Sequence, residues 1–192
     1  MGVDGIVFPF IRTAEEAKRA VKSCLYPPEG IRGFGPIRAI KYGMDNIDEY
    51  IKKSGNNLWK IMQIEHVDAV NNLDEILSID GVDAIVAGPN DLSASIGLLG
   101  QHEHPNVRYL MDLMAEKASL HGKPFGVSMG YISGELEEWL KRGINWAVLG
   151  SDVGYILKAS KKDYENAKNE FYKYYSHTDK NSSTIQEKKD ES

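Results

Sequence analysis

Residues 59–93 read WKIMQIEHVDAVNNLDEILSIDGVDAIVAGPNDLS, and this stretch decides the fold. An apolar run, Trp59–Glu65, gives way to an amphipathic one, Val67–Leu77, and then to a second apolar run, Ala84–Ala87. The interiors IMQI and AIVA do not alternate apolar with polar residues, as half-exposed strands do. They have the pattern of parallel strands covered by helices. Between them Val67, Val70, Leu73, Ile76 and Leu77 recur at helical spacing and share one face. Asp80-Gly81-Val82-Asp83 then places a glycine where a helix ends in a left-handed cap. Strand, helix, glycine turn and strand make one parallel βα unit.

The same cycle extends in both directions. Further strands are expected at Gly5–Ile11, Pro124–Met129 and Trp146–Gly150. Helices are expected from Thr13 to about Cys24, at Val107–His121, at Gly134–Arg142 and at Tyr155–Tyr175. Thr13 and Glu16 have capping-box spacing, and Tyr26-Pro27-Pro28 ends that helix. His121-Gly122-Lys123 and Arg142-Gly143-Ile144-Asn145 repeat the glycine turn before a strand. Residues 26–50, with Gly30, Gly33 and Gly35 close together, read as a long loop. The reading is an α/β chain of about five parallel βα units in one domain over 1–175. A polar tail, 176–192, is expected to be disordered.

Composition narrows the function classes. The chain has 192 residues, 42% hydrophobic and 27% charged, an ordinary mix for one globular domain. The formal net charge of -5 argues against nucleic acid, whose phosphates need clustered Lys and Arg. No apolar run approaches the roughly 20 residues of a membrane span, and no signal peptide is read at the N-terminus. Cys24 is the single cysteine, so a disulfide within the chain is impossible, which fits a reducing cytoplasm.

Two acids follow apolar strands at their C-terminal ends, where α/β barrels hold their active sites. Glu65 closes WKIMQIE and Asp91 follows AIVAGPN. Carboxylates on adjacent strands suit one hard divalent cation, with water and substrate oxygens completing the shell. Rim acids that pair with bases or cap helices fit the same positions. Gln63 lies on the face of Glu65, in reach of a substrate or a metal-bound water. Gly88-Pro89-Asn90-Asp91 can turn its N–H groups outward as an anion nest. An ordinary loop with Asp91 or Ser93 as N-cap is the plainer reading. His102 and His104 flank an acid at a spacing that suits a transition metal or simple solvation. Arg32, in the glycine-rich loop, suits a carboxylate or pins the loop itself.

The segments GIVFPFIRTAEEAKRAV, YPPEGIRGFGP, QIEHVDAVNNLDEILSIDGVDAIVAGPNDLS, HPNV and WAVLGSDVGYIL occur in series. Together they resemble the HpcH/HpaI aldolase family, from Gly2 to about Tyr175. The resemblance implies a (β/α)8 TIM-type barrel and a metal-dependent class II aldolase that splits 2-keto-4-hydroxy acids into a pyruvoyl product and an aldehyde. It implies Glu65 and Asp91 as metal ligands, with Mg or Mn as the ion. It places Gln63, Pro89, Asn90, Asp91 and Ser128 against the substrate, with the N–H groups of Asn90 and Asp91 on its carboxylate. It further implies a homo-oligomer in which the last helix is exchanged.

The sequence departs from that family in one respect. The family's acid/base His, its Asp partner and its ketone-gripping Arg lie in about three further βα units, and no residue here matches their motifs. The expectation is therefore an incomplete barrel, a fragment of a full enzyme, with no catalytic acid or base of its own. An open five-stranded sheet leaves two edges, so the isolated chain is expected to associate or to be poorly soluble. A non-catalytic metal-binding or assembly module, such as half of a split barrel, is the alternative from a different class. Acyl-CoA or citrate-lyase-like chemistry is a nearer variant on the same fold.

Overall fold

The computed structural model describes the backbone of residues 2–190 and the side chains of residues 2–176. It divides into two compact units, Met1–Leu149 and Gly150–Ser192. The first is a five-stranded parallel sheet in the order β1-β2-β3-β4-β5, with β1 Gly5–Phe8, β2 Trp59–Ile64, β3 Ala84–Ala87, β4 Phe125–Ser128 and β5 Trp146–Val148. The register is continuous: Phe8 pairs with Met62, Gln63 with Val86, Ala87 with Val127, and Ser128 with Val148.

The crossovers carry α1 (Ala14–Cys24), α2 (Ile47–Asn57), α3 (Val67–Asn71), α4 (Leu73–Leu77), α5 (Pro89–Ser95), α6 (Pro105–Leu120) and α7 (Glu135–Lys141). The expected capping box starts α1. Thr13 Oγ1 accepts the Glu16 N–H at 3.2 Å, and Glu16 Oε2 accepts the Thr13 N–H at 3.1 Å. The strands alternate in what they face. Met62 and Ile64, Ile85 and Ala87, and Phe125 and Val127 enter one core with Val70, Leu73, Ile76, Met111 and Met114. Burial of these side chains is the main stabilising term, about 1.5–3 kcal/mol for each large one. By parity Gln63, Val86 and Ser128 face the other side of the sheet.

Three expectations need correction. β1 stops at Phe8 rather than Ile11, because Pro9 follows and Phe10 takes a left-handed backbone, φ 54°. The expected helix 67–77 breaks at Asn72, where φ -91° and ψ 9° leave the helical region. Asn72 Nδ2 donates instead to the Arg12 carbonyl at 2.9 Å, tying this crossover to the segment after β1. The region read as a long loop contains a 3-10 segment, Arg38–Gly43, and the first turn of α2. Asn46 caps α2 through its Oδ1, which accepts the N–H groups of Asp48 and Glu49 at 3.0 Å each.

The second unit is one helix, α8, Asp152–Asp190. The expected tail, 176–192, has its side chains from 177 on outside the described residues; its backbone continues α8 as far as Asp190. Among the described residues no helix is long and apolar enough to cross a membrane.

One buried cation anchors the start of β2. Lys60 is 4% exposed. Its Nζ donates to the carbonyls of Leu58 at 2.8 Å and Gly55 at 3.0 Å, and pairs with Asp83 Oδ2 at 2.8 Å. The same Oδ2 accepts the Lys60 backbone N–H at 2.8 Å. Asp83→Ala leaves both donors short of an acceptor and should cost about 1–3 kcal/mol. A lower urea midpoint with an unchanged slope is the expected result, with Asp83→Asn intermediate.

Candidate functional site

Glu65 follows the last residue of β2 and is 2% exposed. Each of its oxygens has a donor. Oε1 accepts the Phe10 N–H at 2.9 Å from the segment after β1, and Oε2 accepts Gln63 Nε2 at 2.6 Å from two residues back. The shared face read for Gln63 and Glu65 thus becomes a direct contact. Gly88, at the end of β3, closes the third side. A Cβ at residue 88 would sit 2.5 Å from Glu65 Oε2, 2.9 Å from Glu65 Cβ and 3.0 Å from Gln63 Nε2. Only a residue without a side chain lets β3 approach this carboxylate.

Asp91 stands exposed in the first turn of α5. That helix is capped by Gly88 with no side-chain hydrogen bond, so neither Asp91 nor Ser93 is its N-cap. Pro89 is buried at the first helical position, Asn90 is exposed, and Ser93 Oγ donates to the Asn90 carbonyl at 2.7 Å. The N–H groups of a first helical turn have no intrahelical acceptor, so those of Asn90 and Asp91 remain available there. Ser128 ends β4, half-buried. β2, β3 and β4 therefore deliver Gln63 and Glu65, the Gly88–Asp91 turn, and Ser128 at one end of the sheet.

The electrostatics of this end are unbalanced. Burial pushes the Glu65 carboxyl above the usual range; the Phe10 N–H lowers it, the Asp91 charge raises it further, and Gln63 lowers it. Among the described residues neither Glu65 nor Asp91 has an ion-pair partner. The reading of these acids as rim residues paired with bases therefore lacks its bases. Two carboxylates at one end of the sheet, without a counter-cation among the described residues, are a donor chemistry that fits a hard divalent ion.

Other candidates separate from this centre. Arg32 pins its own loop: Nη2 donates to Tyr50 Oη at 3.0 Å, and its guanidinium lies 4.6 Å from the Tyr26 ring centre. Arg32 and Tyr50 line a cavity of about 350 Å3 with Gly2, Asp4 and Leu58, at the N-terminal ends of β1 and β2, opposite Glu65. His104 Nδ1 accepts the Asn106 N–H at 3.2 Å as the cap of α6, and His104 is not among the residues that group with His102. His102, Glu103 and Glu135 bring potential ligand atoms within 4.8 Å of one another. Arg108 already supplies a cation there, 3.6 Å from Glu103 Oε1. Burial raises the Cys24 thiol, which suits a packed rather than a nucleophilic cysteine. Sequence reasoning missed the Phe10 N–H and the Glu103–Glu135 contact, because both depend on how loops fold back.

The sequence and fold recur in known proteins. The family model described as HpcH/HpaI aldolase/citrate lyase matches residues 1–159. A 5-keto-4-deoxy-D-glucarate aldolase of Escherichia coli O139:H28 is 37% identical over 163 residues, covering 84% of this chain and 62% of the relative. The crystal structure of an HpcH/HpaI aldolase from Desulfitobacterium hafniense DCB-2 superposes with a TM-score of 0.74 at 30% identity, covering 87% of this chain and 64% of that one. An aldolase/citrate lyase family protein from Burkholderia cenocepacia J2315 gives a TM-score of 0.74 at 27% identity, covering 87% and 66%. The five parallel strands are thus part of a TIM-type barrel fold, and the chain spans under two thirds of the length of these relatives.

A raised carboxyl pKa has a fixed sign in stability. The folded state holds the Glu65 proton more tightly than the unfolded chain, so the favourable contribution is present below the unfolded pKa. It is lost as pH rises through the higher folded value. In EDTA at neutral pH, Glu65→Gln should therefore melt above the wild-type chain, and the two midpoints should converge in acid. A constant gap across the pH range would point to packing instead of ionisation.

Proposed function

The chain belongs to the HpcH/HpaI aldolase/citrate lyase family, and we propose that it carries the metal- and carboxylate-binding part of a carbon–carbon lyase acting on 2-keto-4-hydroxy acids. The observation that carries this reading is the buried Glu65 carboxylate, held by two neutral donors and near enough to Asp91 for that charge to raise its pKa, with no ion-pair partner for either acid among the described residues. Glu65 and Asp91 would hold a divalent cation, Mg or Mn. When bound, such an ion supplies Lewis-acid polarisation of the keto carbonyl and stabilises the charge that develops there.

The chain's own residues have separate tasks. The N–H groups of Asn90 and Asp91, aligned by the buried Pro89, receive the carboxylate of the keto acid at a helix start, where partial positive charge gathers. Gln63 holds Glu65 by its amide and borders the substrate. Ser128, at the same end of β4, offers a hydroxyl to the substrate oxygens. No His, Asp or Arg of this chain is assigned to proton transfer; we place that task in the part of the relatives that this chain does not span. In this reading 1–175 is one family domain, whose sheet portion is the unit Met1–Leu149. α8 serves a homo-oligomeric contact, for which exposed Val153, Ile156, Leu157, Tyr164 and Phe171 are suited. A reducing, cytoplasmic setting accords with a single buried cysteine.

The acyl-CoA variant draws less support. Arg38 and Lys41, the basic residues that suggest a CoA site with Arg32, sit in the 3-10 segment that precedes β2. That places them in a connection at the N-terminal end of the strands, away from Asp91.

The test is a Mn2+ titration followed by a coupled assay for pyruvate release. The assay panel includes 5-keto-4-deoxy-D-glucarate, the substrate in the name of the Escherichia coli relative. Stoichiometric binding lost in Glu65→Gln and in Asp91→Asn, with EDTA-sensitive pyruvate release, is the expected outcome for a competent lyase. Binding without release assigns this chain the metal-holding task alone, as in a metal-binding or assembly module. Unchanged binding in both variants overturns the assignment.

A further inference from the structure

Phe10 occupies a backbone conformation that its side chain disfavours. Its φ of 54° lies in the left-handed region, which is unfavourable for a residue other than Gly, Asn or Asp. The ring returns little for this, since Phe10 is 52% exposed. Its nearest cationic neighbour is the Arg12 guanidinium, 6.0 Å from the ring centre. Such an outlier persists only where the surroundings over-determine it, and here they do. Phe8 is held in β1 by its pairing with Met62. Ile11 is 7% exposed in the core. The Arg12 N–H donates to Glu16 Oε2 at 2.7 Å, and the Arg12 carbonyl accepts Asn72 Nδ2 at 2.9 Å. Pro9 has a restricted φ. Residue 10 is therefore where the chain absorbs the turn between a fixed strand and a fixed helix start.

The turn has one polar product, the Phe10 N–H on Glu65 Oε1 at 2.9 Å. With Gln63 Nε2 on Oε2 at 2.6 Å and Gly88 against the third side, it fixes the plane of the carboxylate. One lone pair on each oxygen then remains for a cation.

We propose that Phe10 is a positioning residue for the metal centre, acting through its left-handed backbone N–H and not through its ring. The inference rests on the metal-holding role of Glu65 put forward above and goes beyond it. It assigns the orientation of that ligand to a strained residue on the neighbouring strand's loop. Partners that orient a metal ligand are worth about 10- to 100-fold in affinity.

The experiment is Mn2+ binding by calorimetry on the full chain and its variants, each checked for fold by circular dichroism and thermal midpoint without metal. Phe10→Val keeps an apolar side chain but disfavours φ above zero. It should weaken Mn2+ about 10- to 100-fold with secondary structure retained. Phe10→Gly removes the ring and adopts this φ freely, so it should bind as wild type does. Wild-type affinity in Phe10→Val, or equal losses in both variants, overturns the proposal.

A measurement without substitution at residue 10 keeps the question open to decision if Phe10→Val does not fold. In 15N-Phe-labelled chain the Phe10 amide should be protected from exchange, and should lose that protection in Glu65→Ala. An unprotected Phe10 amide in the wild-type chain overturns the proposal. Absence of any Mn2+ binding by the wild-type chain sinks the metal reading itself, and the amide measurement then decides alone whether Phe10 positions Glu65.

Discussion

A single parallel register from β1 to β5 is the constraint on which the rest depends. Parallel strands need a crossover of a dozen or more residues between neighbours, so β1 to β4 are each followed by helix, and these crossovers supply the helices that cover one face. That face consumes the alternate apolar residues Met62, Ile64, Ile85, Phe125 and Val127. The residues between them are turned to the opposite face, and every strand ends at the same side of the sheet. Gln63, Glu65, Gly88 and Ser128 come together for this reason and not through any local affinity for one another. A shift of register by one residue would bury Gln63 under the helices and turn Met62 out.

Within that frame the site is a deliberate imbalance. A buried carboxylate ordinarily requires an ionic partner or loses its charge. Glu65 receives two neutral donors, the Phe10 N–H and Gln63, and faces Asp91 rather than a base. Lys60, on the same strand, shows the contrasting solution: a buried ammonium with two carbonyls and the Asp83 carboxylate around it. The two ends of β2 therefore follow different rules. The N-terminal end is neutralised internally and serves stability. The C-terminal end carries two acids with no ion-pair partner among the described residues, and burial raises the pKa of Glu65 there.

Much of this was legible in the sequence because it rests on periodicity. Unalternated apolar runs located all five strands. Thr13 and Glu16 announced the start of α1, and Gly81, Gly122 and Gly143 marked the ends of crossovers; all three have positive φ. The acids at the ends of β2 and the β3 turn stood out because nothing in an apolar strand calls for them. What the sequence hid depends on tertiary anchoring. Asn72 sits in an unbroken helical pattern, and only its bond to the Arg12 carbonyl explains the break there. Nothing about IVFPFIR marks Phe10 for a left-handed turn, since Phe has no preference for one. α2 was obscured by the glycines and prolines before it, although Asn46 caps it by the ordinary rule.

The position of the two proposed ligands within the sheet is consistent with a metal-holding role that resides in five strands alone. β2 and β3 carry Glu65 and lead to Asp91, and both are interior: β1 flanks one side and β4 the other. Their hydrogen-bond ladders are complete on both edges, so the geometry of the two carboxylates does not depend on what lies past β1 or β5. The groups that orient Glu65 come from β2 itself and from the loop after β1, and the one group that must yield space, Gly88, comes from β3. The orienting shell is thus closed within β1 to β3. Proton transfer has no comparable home here, because the described face of the sheet offers Gln63, Val86 and Ser128 beside the carboxylates, and none of these titrates near neutrality. In the proposed reading metal holding and proton transfer are separable along the chain, the first resting on residues of interior strands and the second assigned to none of them.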